Sequence, residues 1–260
     1  MQMQVHVVNP RLGFGNVLIK LCDYMRKAGP DGCVDENLKD FERGRAFNFN
    51  VKFVKGLEAT MDGDIYCNDS SYNFMKHILP SIITPSQELV DKFNAKVPLL
   101  EGVSVGIHLR CGSFMPDCKG LSASHGGDWF ASNETFTTVR NIVHGCKDRV
   151  FLASDSRDVK QMFKKEFGNK IVIFDGDITL SCDPETCGGI DQTSQSLMDT
   201  YLEWFTLSMC NDVITTSGPG FDEKTGKGAG ISTFGYTAAA YGRKTLHVIF
   251  WNGQVGRFGS

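Results

Sequence analysis

Apolar residues along this chain change period again and again, with short β-branched runs giving way to stretches of helical spacing. Val5 to Asn9 predicts a strand and Arg11 to Asn16 a glycine turn. Val17 to Lys27 predicts an amphipathic helix with Leu18, Leu21, Cys22 and Met25 on one face. Residues 32–63 are aromatic and charged without a clean period and give no assignment. Beyond them the pattern predicts a strand over Ile65 to Asn68, a short helix over Asn73 to Leu79, and a helix from a Ser86 cap to Val97.

After Pro98 the alternation becomes regular. Strands are predicted at Val103 to Arg110, Arg149 to Ala153, Lys170 to Phe174, Asp212 to Thr216 and Thr245 to Ile249. Helices are predicted at Asn133 to His144, Asp158 to Phe167, Ser194 to Cys210 and, behind a Ser232 cap, Thr233 to Tyr241. In the third of these helices Leu197, Tyr201, Trp204, Phe205 and Met209 share a core face, and a glycine-rich loop runs from Ser217 to Gly230. Strands separated by helices imply parallel sheets covered on both faces. The break near residues 98–102 divides the chain into 1–100 and 101–260, so an α/β architecture is expected, two Rossmann-like halves with parallel sheets and a cleft between them.

Composition narrows the class. A chain of 260 residues with 41 % hydrophobic and 22 % charged content can bury a sizeable core, which excludes disorder. A net charge of -3 with no lysine/arginine block gives no electrostatic reason to expect nucleic acid or an anionic membrane as partner. No run of apolar residues is long enough to cross a bilayer and no basic leader opens the chain, so a soluble, cytoplasmic protein is expected. Nine cysteines, an odd number lying mostly inside periodic segments, fit a reducing compartment. Cys182 and Cys187 have no histidine nearby, and no metal is expected. Asn68-Asp69-Ser70 and Asn133-Glu134-Thr135 read as chance matches to a glycosylation acceptor.

Candidate chemistry concentrates at the end of the strand over Val103 to Arg110. Alternation places His108 and Arg110 on one face, and the guanidinium fork matches phosphate oxygens. Cys111-Gly112-Ser113 then turns the chain where a ligand could approach the carboxyl edge of a parallel sheet. A solvated arginine at a strand end is the plain alternative. Gly13 and Gly15 let backbone approach a ligand, and Asn16 starts a helix. The turn lacks the third glycine and the ribose-binding acid of a dinucleotide site. The insertion GPGFDEKTGKGAG lacks the Gly-Lys-Ser/Thr ending of a nucleoside triphosphatase loop. Its Lys224 and Lys227 read as solvated, with a lid over a donor as the alternative.

Four segments in order, RLGFGN (residues 11–16), VGIHLRCGS (105–113), VFLASDSRDVKQMFKKEFG (150–168) and SLMDTYLEWFTLSMCNDVITTS (196–217), resemble the fucosyltransferase superfamily of α1,2-, α1,6- and protein O-fucosyltransferases. The resemblance implies a GT-B-like fold, the acceptor on residues 1–100 and the nucleotide sugar on 101–260. It further implies inverting, metal-independent transfer of L-fucose from GDP-fucose to a glycan hydroxyl, with no cofactor. On matching positions it places His108 near the nucleotide, Arg110 on the β-phosphate, Ser154 and Asp155 beside the nucleotide, and Asp199 on guanine. Gly13, Phe14, Gly15 and Asn16 would face the donor phosphates. Small hydroxyls beneath the phosphates would come from Thr215, Thr216 and Ser217 or from Ser232, Thr233 and Phe234, and a helix amino end favours the second set. A carboxylate beyond the motif histidine in some relatives points to Asp117 as the base, with Asp128 next.

One departure touches the donor. Many members read H-x-R-R-x-D, whereas this chain continues Arg110-Cys111-Gly112-Ser113, without the second arginine and the aspartate. Another nucleotide sugar such as UDP-xylose therefore stays open, as does a non-catalytic nucleotide- or sugar-binding protein. Relatives without a membrane anchor occur in bacteria and large algal viruses. The resemblance points to an enzyme of that kind, in the host cytoplasm if viral.

Overall fold

In the computed structural model, which describes residues 5–6, 14–28, 33–35, 46–50, 52–54, 67–111, 131–176, 194–219 and 230–259, the second-half strands share one sheet. The first half contains β1 (Val5–His6), α1 (Phe14–Ala28), β2 (Cys33–Asp35), β3 (Phe47–Phe49), β4 (Lys52–Val54), α2 (Asp69–Ile82), β5 (Ile83–Pro85) and α3 (Gln87–Lys96). The second contains β6 (Val103–Leu109), α4 (Asn133–Gly145), β7 (Arg149–Ser154), α5 (Arg157–Phe167), β8 (Ile171–Val172), α6 (Ser194–Met209), β9 (Asp212–Thr216), α7 (Thr233–Tyr241), β10 (Thr245–Ile249) and β11 (Val255–Phe258).

The large sheet has the order β11-β10-β9-β6-β7-β8. All its neighbours are parallel except β10 and β11. Beside it lie a parallel sheet β1-β2-β4 and an antiparallel pair β3-β5. The architecture is α/β, as the alternation predicts. β6 lies between β9 and β7, so its carboxyl end opens in the middle of the sheet edge.

Each face of that sheet is covered differently. On one, α4 and α5 pack Phe136, Val139, Val159 and Phe163 against Ile107, Leu109, Leu152 and Ile214. On the other, α6 and α7 cover Phe151, Ala153 and Val213, and the same apolar cluster continues into α1, α2 and α3 through Leu18, Tyr72 and Leu89. From Gly235 to Ala240 every residue of α7 is buried, because the helix is enclosed by the sheet, by α6 and by α1 and α2. Tyr236 Oη donates to Asn68 O at 3.0 Å and Tyr72 Oη to Lys244 O at 2.9 Å, so the two halves are also hydrogen-bonded.

Several elements depart from expectation for identifiable reasons. α1 starts at Phe14, inside the predicted turn, because Phe14 packs on Phe47, Tyr201 and Trp204. Cys67 and Asn68 are not strand; Asn68 caps α2, its side chain accepting from Ser71 N at 2.9 Å. Met209 is 53 % exposed, since the inward stripe of α6 continues from Leu197, Tyr201 and Trp204 to Ser208, which is 1 % exposed. Ser86, Ser132 and Ser156 cap α3, α4 and α5 through their side chains.

Candidate functional site

Most of the predicted site residues that the structure describes lie along the carboxyl edge of the six-stranded sheet. Just beyond β6, Arg110 N donates to Thr216 Oγ1 at 3.1 Å, which ties the chain to the end of β9. Cys111 N donates to Asp155 Oδ1 at 2.7 Å, which ties it to the end of β7. The other oxygen of Asp155 lies 2.7 Å from Arg110 Nη1. Asp155 is nearly buried, whereas Arg110 keeps 26 % of its side chain exposed. The guanidinium is thus held at its root and on one side while part of its donor fork faces outward. Ser154 is buried, with its hydroxyl donating to Leu109 O at 2.7 Å and accepting from Ser156 N at 3.2 Å. It is a strut between β6 and β7.

The amino end of α7 completes this edge. Ser232 N donates to Thr216 O at 2.9 Å, and Ser232 stands at the cap position without a side-chain cap bond. Gly235 lets the first turn lie directly on β6 and β9, since a Cβ there would collide with Thr215 Oγ1. Thr233 and Phe234 are partly exposed on that turn. Ser217 is 3 % exposed, and among the described residues its Oγ is the only buried side-chain polar atom without a hydrogen-bond partner. A buried hydroxyl in that state is rare in native proteins.

His108 lies beneath α7. Its ring is buried, 4.8 Å from the ring of Phe234, with Nδ1 3.3 Å from Thr215 Oγ1. Burial and the neighbouring Arg110 push the imidazole down to about 3, so it is neutral at physiological pH. It supports the turn that carries Phe234 rather than adding charge to the edge.

Residues from the first-half turn divide. Phe14, implied beside the donor, is 3 % exposed inside the aromatic cluster. Gly15 packs on Thr233 so closely that a Cβ would lie 2.5 Å from its carbonyl carbon, which joins the amino ends of α1 and α7. Asn16 is partly exposed beside them. Gly13 and Asp117, with Asp128, Lys224 and Lys227, lie outside the described residues.

At the other end of the edge, Asp199 on α6 lies against the backbone of Gly176, just past β8. One turn further along α6, Glu203 meets Lys160 of α5 at 2.9 Å, with both side chains buried. Burial pushes the Glu203 carboxyl up to about 7 while Lys160 and the Ser154 N–H pull it back. Sequence reasoning missed this pair, although its signal is present. A single acid inside the apolar run Tyr201-Leu202-Glu203-Trp204-Phe205 is a buried charge that needs a partner. Among the described residues no three His, Cys, Asp or Glu side chains converge as metal ligands. No helix among them is long and apolar enough to cross a membrane. Cys22, Cys67, Cys111, Cys146 and Cys210 are unpaired thiols, and burial pushes that of Cys67 up to about 12.

Among solved structures, the chain is similar to NodZ α1,6-fucosyltransferase soaked with GDP-fucose, with a TM-score of 0.56, 14 % identity and 99 % of both chains covered. It is also similar to the fucosyltransferase NodZ from Bradyrhizobium, with a TM-score of 0.51, 15 % identity and 99 % of both chains covered. A third similar structure is a mutant of Arabidopsis thaliana FUT1 in complex with GDP, with a TM-score of 0.51 and 12 % identity, covering 94 % of this chain and 69 % of that one. The chain has the fucosyltransferase-like, GT-B-like fold. No protein-family profile and no curated protein sequence matches it. In open, mostly parallel α/β sheets ligands bind outside the carboxyl ends of the strands, and at that edge of this sheet Arg110, Asp155, Thr216 and Ser232 meet.

Proposed function

We propose that this protein is an inverting, metal-independent glycosyltransferase that moves L-fucose from GDP-fucose onto the hydroxyl of a glycan acceptor. The observation that carries this reading is the Arg110 guanidinium, clamped by Asp155 at 2.7 Å on the edge that also holds the amino end of α7, where Ser232 makes no side-chain cap bond. Breaking the bond between sugar and diphosphate leaves negative charge on the departing nucleotide. A pre-placed guanidinium and the amides of a helix amino end stabilise that charge as it develops, the role a metal ion serves elsewhere. The Ser217 hydroxyl supplies a further donor for a phosphate oxygen, and its lack of a partner supports that use. Asp199, at the far end of the edge, accepts from the guanine edge, which distinguishes GDP from UDP. Asp117 takes the proton of the acceptor hydroxyl as the sugar is attacked from the face opposite the diphosphate. The first hundred residues hold the acceptor.

Melting curves with GDP-fucose, GDP-mannose, UDP-xylose, UDP-glucose and UDP-galactose, followed by transfer from a labelled donor to a panel of glycans, test the proposal. A ligand that binds only the native state raises the melting temperature. The expected result is a shift with GDP-fucose that UDP sugars do not give, together with labelled fucose on an acceptor. A shift given by a UDP sugar alone would reassign the donor, and binding of GDP-fucose without transfer or hydrolysis would make the protein a binder.

A further inference from the structure

Lys160 and Glu203 form a buried ion pair that the proposed chemistry does not use. Their side chains are 2 % and 3 % exposed, with Nζ 2.9 Å from Oε1. The same ammonium donates to Phe174 O at 3.0 Å, on the segment leaving β8, and Glu203 takes the backbone N–H of Ser154 at the end of β7. Two side chains therefore join α5, α6, β7 and residues 173–176. Asp199 projects from α6 one turn before Glu203, on the same face of the helix. Its carboxylate meets the backbone of Gly176, where a Cβ would lie 2.6 Å from Oδ2. Asp199 is thus set between two pieces of chain whose spacing the pair fixes.

Stability alone does not account for such a pair. The cost of removing two charges from water is of the same order as their attraction, and apolar side chains of similar volume hold two helices together at least as well. Glu203 is flanked along α6 by Tyr201, Leu202, Trp204 and Phe205, all buried, with the hydroxyls of Thr200 and Thr206 one turn away. What the pair adds is direction, because Lys160 Nζ is held by both the Phe174 carbonyl and the Glu203 carboxylate. We propose that Lys160 and Glu203 are positioning residues that fix Asp199 and residues 173–176 in the geometry that reads a guanine base. The inference rests on GDP as the donor nucleotide.

The test compares GDP with inosine diphosphate, which lacks the exocyclic amine that a carboxylate accepts from, by calorimetry on the full chain. The wild type is expected to bind GDP about tenfold or more tightly than inosine diphosphate, the scale of one hydrogen bond to a charged acceptor. The double variant Lys160→Met/Glu203→Leu is expected to melt at the same temperature or higher and to bind the two nucleotides within about twofold of each other. If that variant does not fold, Glu203→Gln gives the same readout. Its neutral amide holds the ammonium less firmly, and the preference falls part-way. A folded variant with the full wild-type preference for GDP overturns the proposal and leaves the donor assignment standing. A wild type without any such preference overturns both.

Discussion

The amino ends of α5 and α7 both open onto the carboxyl edge of the large sheet, and they are finished in opposite ways. At α5, the Ser156 hydroxyl accepts the N–H of Val159 at 3.3 Å, and Asp158 stands in the first turn. At α7, Ser232 makes no side-chain cap bond, and the first turn carries no acid. Among the described residues, one positive helix end is met by its own side chains and the other is not. Under the proposed function, the end without its own acid is the one that meets the diphosphate.

The sharpest way to break this comparison is to remove the charge beside the open end. Arg110→Ala is expected to lower transfer about 100- to 1,000-fold in a protein that still folds, with a lowered melting temperature because the nearly buried Asp155 loses its ion-pair partner. Steady-state kinetics and a thermal melt decide it, and near-normal turnover removes Arg110 from the mechanism. Acidification probes the neutral imidazole under α7. His108 is pushed down to about 3, whereas an unfolded histidine takes up its proton near 6.5. The stability it contributes is complete above pH 6.5 and is lost as pH falls toward 3, by up to about 1.4 kcal/mol per unit.

Glu203 acts with the opposite sign. Its raised pKa gives stability that is complete below pH 4.5 and lost as pH rises through about 7. Between 4.5 and 6.5 the two slopes oppose, and the steep acid limb begins below that window. Urea titrations over a pH series should show that limb one proton shallower in His108→Gln.

Steric and capping changes are smaller. Gly235→Ala forces a methyl onto Thr215 Oγ1 and is expected to cost about 1 to 3 kcal/mol while weakening GDP binding. Ser156→Ala removes a cap worth about 1 kcal/mol and leaves GDP affinity unchanged, so that chemical denaturation and calorimetry together separate the two helix ends. The smallest change is the most specific. Ser232→Asp puts an acid at the amino end of α7 and should weaken GDP binding a few-fold. Equal GDP affinity in that variant would show that no anion binds at α7.

Legibility in the sequence followed the source of each element's stability. β9, α7 and β10 have the bounds that period and capping predict, because their residues carry the signal themselves. The three-residue strands β3 and β5 exist through their pairing with each other, and β11, with Gly256 inside it, through its pairing with β10. No local pattern marks them. The site shows the same division. Arg110 and Asp155 stand in motifs, whereas the bond between Arg110 N and Thr216 Oγ1 spans 106 residues of sequence and depends on the order of strands in the sheet. Phe14 shows the converse, since a residue inside a glycine turn reads as exposed until the ring of Trp204, 5.2 Å away, is known to meet it.

The apolar cluster shared by the two halves bears on how such a protein can change over generations. A recombination event near residue 101 would have to bring in, at one stroke, new neighbours for Phe205, stacked edge-on with Phe93, and for Tyr236, which meets Tyr72. Inheritance should therefore favour gradual change in loops over wholesale exchange of the first hundred residues. A chimaera built at that junction is expected to aggregate unless α1, α2 and α3 are carried over with α6 and α7.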